Sequence, residues 1–207
     1  MKIYRDIIQQ EPEWFELKKG KISGTSLKSV TGWAAAQETQ MYELIADEYI
    51  LEEDLNKFEI MERGNILEDV AKLFFEDITW KKVEEVWFIL RDDQHWLSPD
   101  WIIKTWEVYW EAVEIKCPRG KNYVKYYIEG IIPKEYKSQV INYFLVMEDL
   151  ELLHFMIYNP DVINWLSEYK IIEVTRVELQ KEIDKAEEKL ADFKTKWNTL
   201  KDNLLTW

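Results

Sequence analysis

The stretch Val108-Tyr109-Trp110-Glu111-Ala112-Val113-Glu114-Ile115-Lys116-Cys117-Pro118 decides how this chain is read. Its alternation predicts a β-strand from Val108 to Lys116, because side chains of an extended backbone point to opposite faces with period two. Val113 and Ile115 then face one side, Glu114 and Lys116 the other, and Pro118 and Gly120 end the strand. Thirteen residues separate Glu114 from the upstream Ser98-Pro99-Asp100. It interrupts a second apolar run, Leu97 to Ile103, which also reads as a strand. If the two strands pair antiparallel, Asp100 sits beside Glu114 and Lys116, and two carboxylates and an ammonium converge.

That trio suits phosphodiester hydrolysis. Two hard carboxylates can hold Mg²⁺ while leaving positions for water and phosphate. Such an ion polarises the phosphoryl group and neutralises the leaving oxygen. Lys116 would orient the attacking water and stabilise charge on the phosphate, and the backbone carbonyl of Ile115 could add an oxygen ligand. An acid–apolar–base alternation is equally what a half-buried strand shows, and the chain has 40 acidic residues. The pattern alone therefore leaves catalysis and a plain solvated face both open.

Working outward, Val83 to Leu90 predicts a strand closed by the turn Asp92-Asp93-Gln94. Leu150 to Tyr158 predicts another, closed by Asn159-Pro160. Helical spacing appears after Pro12 (Trp14, Phe15, Leu17), around Leu27 and Val30 with Ser23 or Thr25 as a cap, from Thr39 to Leu55, from Asn65 to Glu76, and after Pro133. In the last of these, Tyr136, Val140, Tyr143, Phe144 and Met147 form an apolar stripe. The fold class is α/β, a mixed sheet flanked by helices. Residues 1–172 are expected to form the main domain and 173–207 a C-terminal heptad-patterned helix. In that helix Ile183, Ala186, Leu190, Phe193, Trp197, Leu200 and Leu204 follow one another at alternating steps of three and four. Its seam could pack on the chain's own domain or serve assembly.

The 207 residues carry 27 Lys and Arg against 40 Asp and Glu, a net charge of −13, and 47% of them are hydrophobic, which argues against disorder. No apolar run approaches the roughly 20 residues that span a bilayer, and the start lacks a signal-peptide pattern. One cysteine, Cys117, excludes zinc-finger and iron–sulfur chemistry and fits a reducing cytoplasm; burial suits it better than a nucleophilic role. His95, beside a turn, and His154, within a strand, read as structural or solvated. Positive charge is local. Residues Leu17–Trp33 hold four lysines and no acid, and Lys116–Lys137 hold six bases against two acids. Either segment could be a solvated face or a phosphate-binding one.

Ser98-Pro99-Asp100 with Glu114-Ile115-Lys116-Cys117-Pro118 resembles the core signature of the YqaJ-type viral recombinase family. This is the group of PD-(D/E)xK nucleases, of restriction-endonuclease-like fold, that includes phage lambda exonuclease. Four further segments resemble the family in order: 12–25, with Trp14, Lys18, Gly20 and Thr25; Arg63-Gly64-Asn65-Ile66-Leu67-Glu68; Pro133 to Val140; and Phe155 to Pro160.

The resemblance implies a Mg²⁺-dependent DNA exonuclease, with Mn²⁺ as a possible substitute, resecting linear double-stranded DNA 5′-to-3′ in phage-type recombination. It implies Asp100, Glu114 and the Ile115 carbonyl as metal ligands, Lys116 as catalytic lysine, and Glu68 as the helix glutamate that completes the cluster directly or through water. Gln139 is then an active-site glutamine with Tyr136 near it, and Lys18 and Thr25 contact DNA phosphate, with Arg119 and Lys121 from the second basic segment joining them. Expected partners are DNA ends, a single-strand annealing protein and further copies of the chain in a homo-oligomer, with no membrane, in the cytoplasm of a bacterial host of a phage or prophage. The alternatives are another PD-(D/E)xK defence or Cas4-like nuclease (the latter disfavoured by one cysteine), or a catalytically weakened interaction module held to a partner by the Ile183–Leu204 seam.

The chain departs from the family where glycine is usual. Trp101 directly follows Asp100, and Trp80, Trp87 and Trp106 also stand at such positions, in a chain with only 6 Gly and 11 Trp. The codon GGA differs from UGA by one base, and genetic codes read UGA differently, so these exchanges predict UGA codons at the four positions.

Overall fold

The computed structural model describes residues 1–49, 58–105, 108–163 and 166–205. Two sheets form the frame. The smaller is an antiparallel meander of β1 (Lys2–Tyr4), β2 (Phe88–Asp92) and β3 (His95–Leu97). The larger has the order β4 (Trp101–Thr105), β5 (Val108–Lys116), β6 (Leu152–Tyr158), β7 (Tyr169–Thr175), with β5 and β6 parallel and the outer pairs antiparallel.

The alternation expected along β5 is present. Ala112 belongs to the larger apolar core and Val113 and Ile115 to a second cluster on the opposite face. β6 lies at the centre, and from Leu153 to Tyr158 every residue is buried, as fits a strand covered on both faces. The run Leu97–Ile103 is not one strand. Pro99, which has no N–H to give a ladder, separates β3 from β4, and the chain changes sheet there.

Helices cover both faces. α1 (Pro12–Lys18) starts at the proline and buries Trp14, and α2 (Leu27–Val30) buries both its terminal apolar residues. Neither Ser23 nor Thr25 is the N-cap of α2; that position is Ser26. α3 (Ala34–Tyr49) begins earlier than the apolar spacing suggested, and the Ile50–Leu55 end of that expected helix lies outside the described residues, as does Trp106. α4 (Phe58–Thr79) lays Ala71 and Phe75 on the Val113–Ile115 face. The parallel β5–β6 connection holds α5 (Gly120–Glu129), which the sequence reading did not anticipate, and α6 (Lys137–Val146).

α7 (Arg176–Leu205) begins with a reciprocal capping box: Glu178 accepts from the Thr175 N–H and hydroxyl, at 2.9 and 2.8 Å, and the Glu178 N–H returns to Thr175 Oγ1. Ile183, Ala186, Leu190, Phe193 and Trp197 of its seam are buried in the main core beside α6 residues. The chain's own core thus occupies that part of the seam, leaving it unavailable for assembly. At its first residue, Arg176 donates to the carbonyls of Phe144 (2.9 Å) in the last turn of α6, Met147 (2.7 Å) at its C-cap and Leu150 (2.8 Å) in the following turn. A helix leaves the carbonyls of its last turn without partners of its own, and Arg176 supplies one there; the Met147 carbonyl also accepts the Leu150 N–H at 3.0 Å. Among the described residues no helix is long and apolar enough to cross a membrane.

Candidate active site where β4 and β5 meet

Asp100 immediately precedes β4, and the ladder pairs its neighbour Trp101 with Val113. This register brings Asp100 alongside Glu114. The Ile115 N–H donates to Asp100 Oδ2 at 2.7 Å, so the strand backbone itself orients that carboxylate. Glu114 is wholly buried, and its Oε1 lies 2.5 Å from the Lys116 ammonium in a close ion pair that leaves Oε1 without an aligned hydrogen bond. α6 supplies the third side. The Tyr143 hydroxyl donates to Glu114 Oε2 at 2.5 Å and accepts the Asp100 N–H at 3.1 Å.

Electrostatics bind the cluster together. Burial, with the negative charges of Glu114 and Glu68, pushes Asp100 well above the ordinary carboxyl range, against the pull of Lys116. Burial also raises Glu68 on α4, with Lys116 opposing and Glu114 assisting. Burial disfavours the Lys116 ammonium, but Glu114, Asp100 and Glu68 outweigh it and hold the lysine firmly protonated. Tyr143 is raised by burial and by the two carboxylates it faces.

The rest of the expected set groups unevenly around this centre. The Lys116 ammonium sits 5.4 Å from the Tyr136 ring centroid. Gln139 lies one turn further along α6, and Gly24 packs against it: a Cβ at Gly24 would come within 3.1 Å of Gln139 Cγ and 3.3 Å of its Cα. Glycine lets the Ser23–Ser26 loop approach α6 closely; a Cβ there would push its neighbours by a few tenths of an ångström. Thr25 in that loop is exposed and shares a 2.9 Å hydroxyl contact with Ser23. Arg119, the N-cap of α5, and Lys121 in its first turn are exposed just beyond the end of β5. The Lys18 ammonium lies over the Trp14 and Phe15 rings at 4.3 and 4.6 Å. Trp101 is buried in the α4-facing cluster, with the Lys72 ammonium 4.3 Å from its ring centroid.

Tyr143 is the residue that sequence reasoning placed only in an apolar stripe. Its signal was position: Tyr136, Gln139 and Tyr143 fall three and four residues apart, on one face of the helix. The two histidines are structural, as read. His95 is buried against Asn142 at 2.6 Å, and burial lowers its pKa to about 4, leaving it neutral at physiological pH. His154 bonds Glu111 at 2.6 Å, and Lys81 also reaches that carboxylate.

The donor set fits a hard divalent cation. Asp100 and Glu114 offer carboxylates, Ile115 a main-chain carbonyl, and Glu68 further charge, with one ammonium against them. Among the described residues no three His, Cys, Asp or Glu side chains form a ready cage.

A family model described as the YqaJ-like viral recombinase domain matches residues 13–148. Among solved structures, the fold is similar to an alkaline exonuclease, LHK-Exo, from Laribacter hongkongensis, with TM-score 0.76, 24% identity, and coverage of 95% of this chain and 99% of that one. The same enzyme in complex with dAMP matches with TM-score 0.76, 23% identity and the same coverage. A phage-related exonuclease from Haemophilus somnus 129PT matches with TM-score 0.64, 14% identity, and coverage of 89% and 96%. No curated protein sequence matches.

Proposed function

The chain belongs to the YqaJ-like viral recombinase domain family, and from that premise we propose that it is a divalent-metal-dependent exonuclease acting on the ends of linear double-stranded DNA. The observation that carries this reading is the convergence of Asp100, Glu114 and Lys116, tied together through the Ile115 N–H and the Tyr143 hydroxyl. The likeness to exonucleases named as alkaline or phage-related supports it.

Asp100, Glu114 and the Ile115 carbonyl would hold Mg²⁺ or Mn²⁺, with Glu68 joining directly or through water. When bound, the ion polarises the scissile phosphate and makes the attacking water more acidic. The chain's own groups do the remainder. Lys116, kept protonated by its carboxylate neighbours, donates to the attacking water or to a phosphate oxygen as negative charge develops. Glu114 holds that ammonium at the edge of the strand. Gln139 donates from α6 towards the same centre. Thr25 and Lys18 from the first basic segment, and Arg119, Lys121 and Tyr136 from the second, position the duplex through its phosphates. The direction proposed is 5′-to-3′, leaving single strand for an annealing protein in the cytoplasm of an infected bacterium. The interaction-module reading is weaker on one count: much of the seam it requires is buried in the chain's own core.

Digestion of end-labelled linear duplex with Mg²⁺, with 5′-phosphorylated and unphosphorylated ends, tests activity and direction together. The 5′ label is expected to appear early as mononucleotide, and Asp100→Ala and Lys116→Ala to abolish release. Equal inactivity of wild type and both variants in Mg²⁺ and in Mn²⁺ overturns the reading.

A further inference from the structure

We propose that Tyr143 is a positioning residue, setting which oxygen of Glu114 is turned to the cation site. The inference deepens the metal-dependent reading above and rests on it.

A buried hydroxyl must find partners, and Tyr143 finds both in the carboxylate cluster: the backbone N–H of Asp100 and Oε2 of Glu114. The phenol oxygen is itself a fixed point. Arg176 fastens the end of α6 through the Phe144 and Met147 carbonyls. Asn142, the preceding residue, is fastened to β3 by His95 Nε2 at 2.6 Å and by the Trp96 carbonyl at 3.1 Å. A terminal carboxylate torsion is otherwise broad. With Oε2 taken by the phenol, Glu114 presents Oε1 to Lys116. The phenol also accepts the N–H of Asp100, the residue immediately before β4, so one oxygen sets the spacing between the two carboxylate-bearing segments.

The test is Mn²⁺ binding to the full chain, read from the paramagnetic resonance signal of the free ion, with thermal melting alongside. Wild type is expected to bind, Asp100→Ala to lose binding, and Tyr143→Phe to bind about tenfold more weakly, the size of effect typical when a partner of a metal ligand is removed. Phe144→Leu, a neighbour buried in the core, is expected to lower the melting temperature and keep the affinity. If Tyr143→Phe does not accumulate as a folded protein, Tyr143→Met is judged by the same criterion. Wild-type affinity in the hydroxyl-less variant, with binding lost in Asp100→Ala, refutes the positioning role and leaves the cation site standing. Absence of binding by wild type, or retention by Asp100→Ala, refutes both.

Discussion

Replacing Trp80 with glycine is expected to stabilise this protein. Trp80 closes α4 with its N–H on the Glu76 carbonyl at 3.0 Å, in left-handed backbone with φ of 61°. Helices commonly end on such a residue, and it is usually glycine, because a Cβ there crowds the following carbonyl at a cost of about 1–2 kcal/mol. Glycine returns roughly 0.5–1 kcal/mol of this through its freer unfolded chain. The indole is 90% exposed, so its removal forfeits little burial. The net gain is about 0.5–1 kcal/mol, and for a chain of this size it raises the melting temperature by roughly 1–4 °C. Differential scanning calorimetry of wild type, Trp80→Gly and Trp80→Ala measures it. Alanine keeps the Cβ and so keeps the strain. A glycine variant that melts lower than wild type, or an alanine variant that gains as much, refutes the reasoning.

Asp100→Asn is expected to abolish nuclease activity and raise the melting temperature at neutral pH. Because burial and neighbouring carboxylates raise the folded pKa of Asp100, its contribution to stability is greatest below the ordinary value of 3.8 and is lost as pH rises through the raised one. The gain over wild type should therefore shrink in acid, as melts across a pH series would reveal. Arg176→Met removes the hydrogen bonds to three main-chain carbonyls and should cost about 2 kcal/mol or more, lowering the melting temperature by some 4–8 °C. Trp197→Ala opens a cavity under the α7 seam and should cost about 3–5 kcal/mol in urea unfolding. That loss should be the same at low and high protein concentration, whereas a seam used between copies would make it concentration-dependent. Sequencing the gene checks the codons at 80, 87, 101 and 106, where UGG would end the idea of UGA decoding.

The strand that carries Glu114 and Lys116 was legible because one face of it meets the α4-side core and the other the cluster, so period two survives in the sequence. Asp100 followed once the neighbouring strand was taken as antiparallel. The turn at Asp92-Asp93-Gln94 and the start of α1 at Pro12 were also plain. β1 is three residues long, and β7 is partly buried on both faces, so neither alternates cleanly. α5 was obscured because Tyr123 and Tyr126 are buried while Val124 and Ile128 are exposed, which spreads apolar residues around the helix. Glu68 and Gln139 carried no local signal; Glu68 comes to the cluster from α4, remote in sequence, and only the family resemblance pointed to either residue. Trp80 shows the converse. Its composition was conspicuous in the sequence, but the left-handed backbone that makes tryptophan costly there belongs to the folded chain.

The clamp made by Arg176 has a genetic corollary. A premature stop at codon 176 would spare every codon of the carboxylate cluster and still unmoor the helix that lines it.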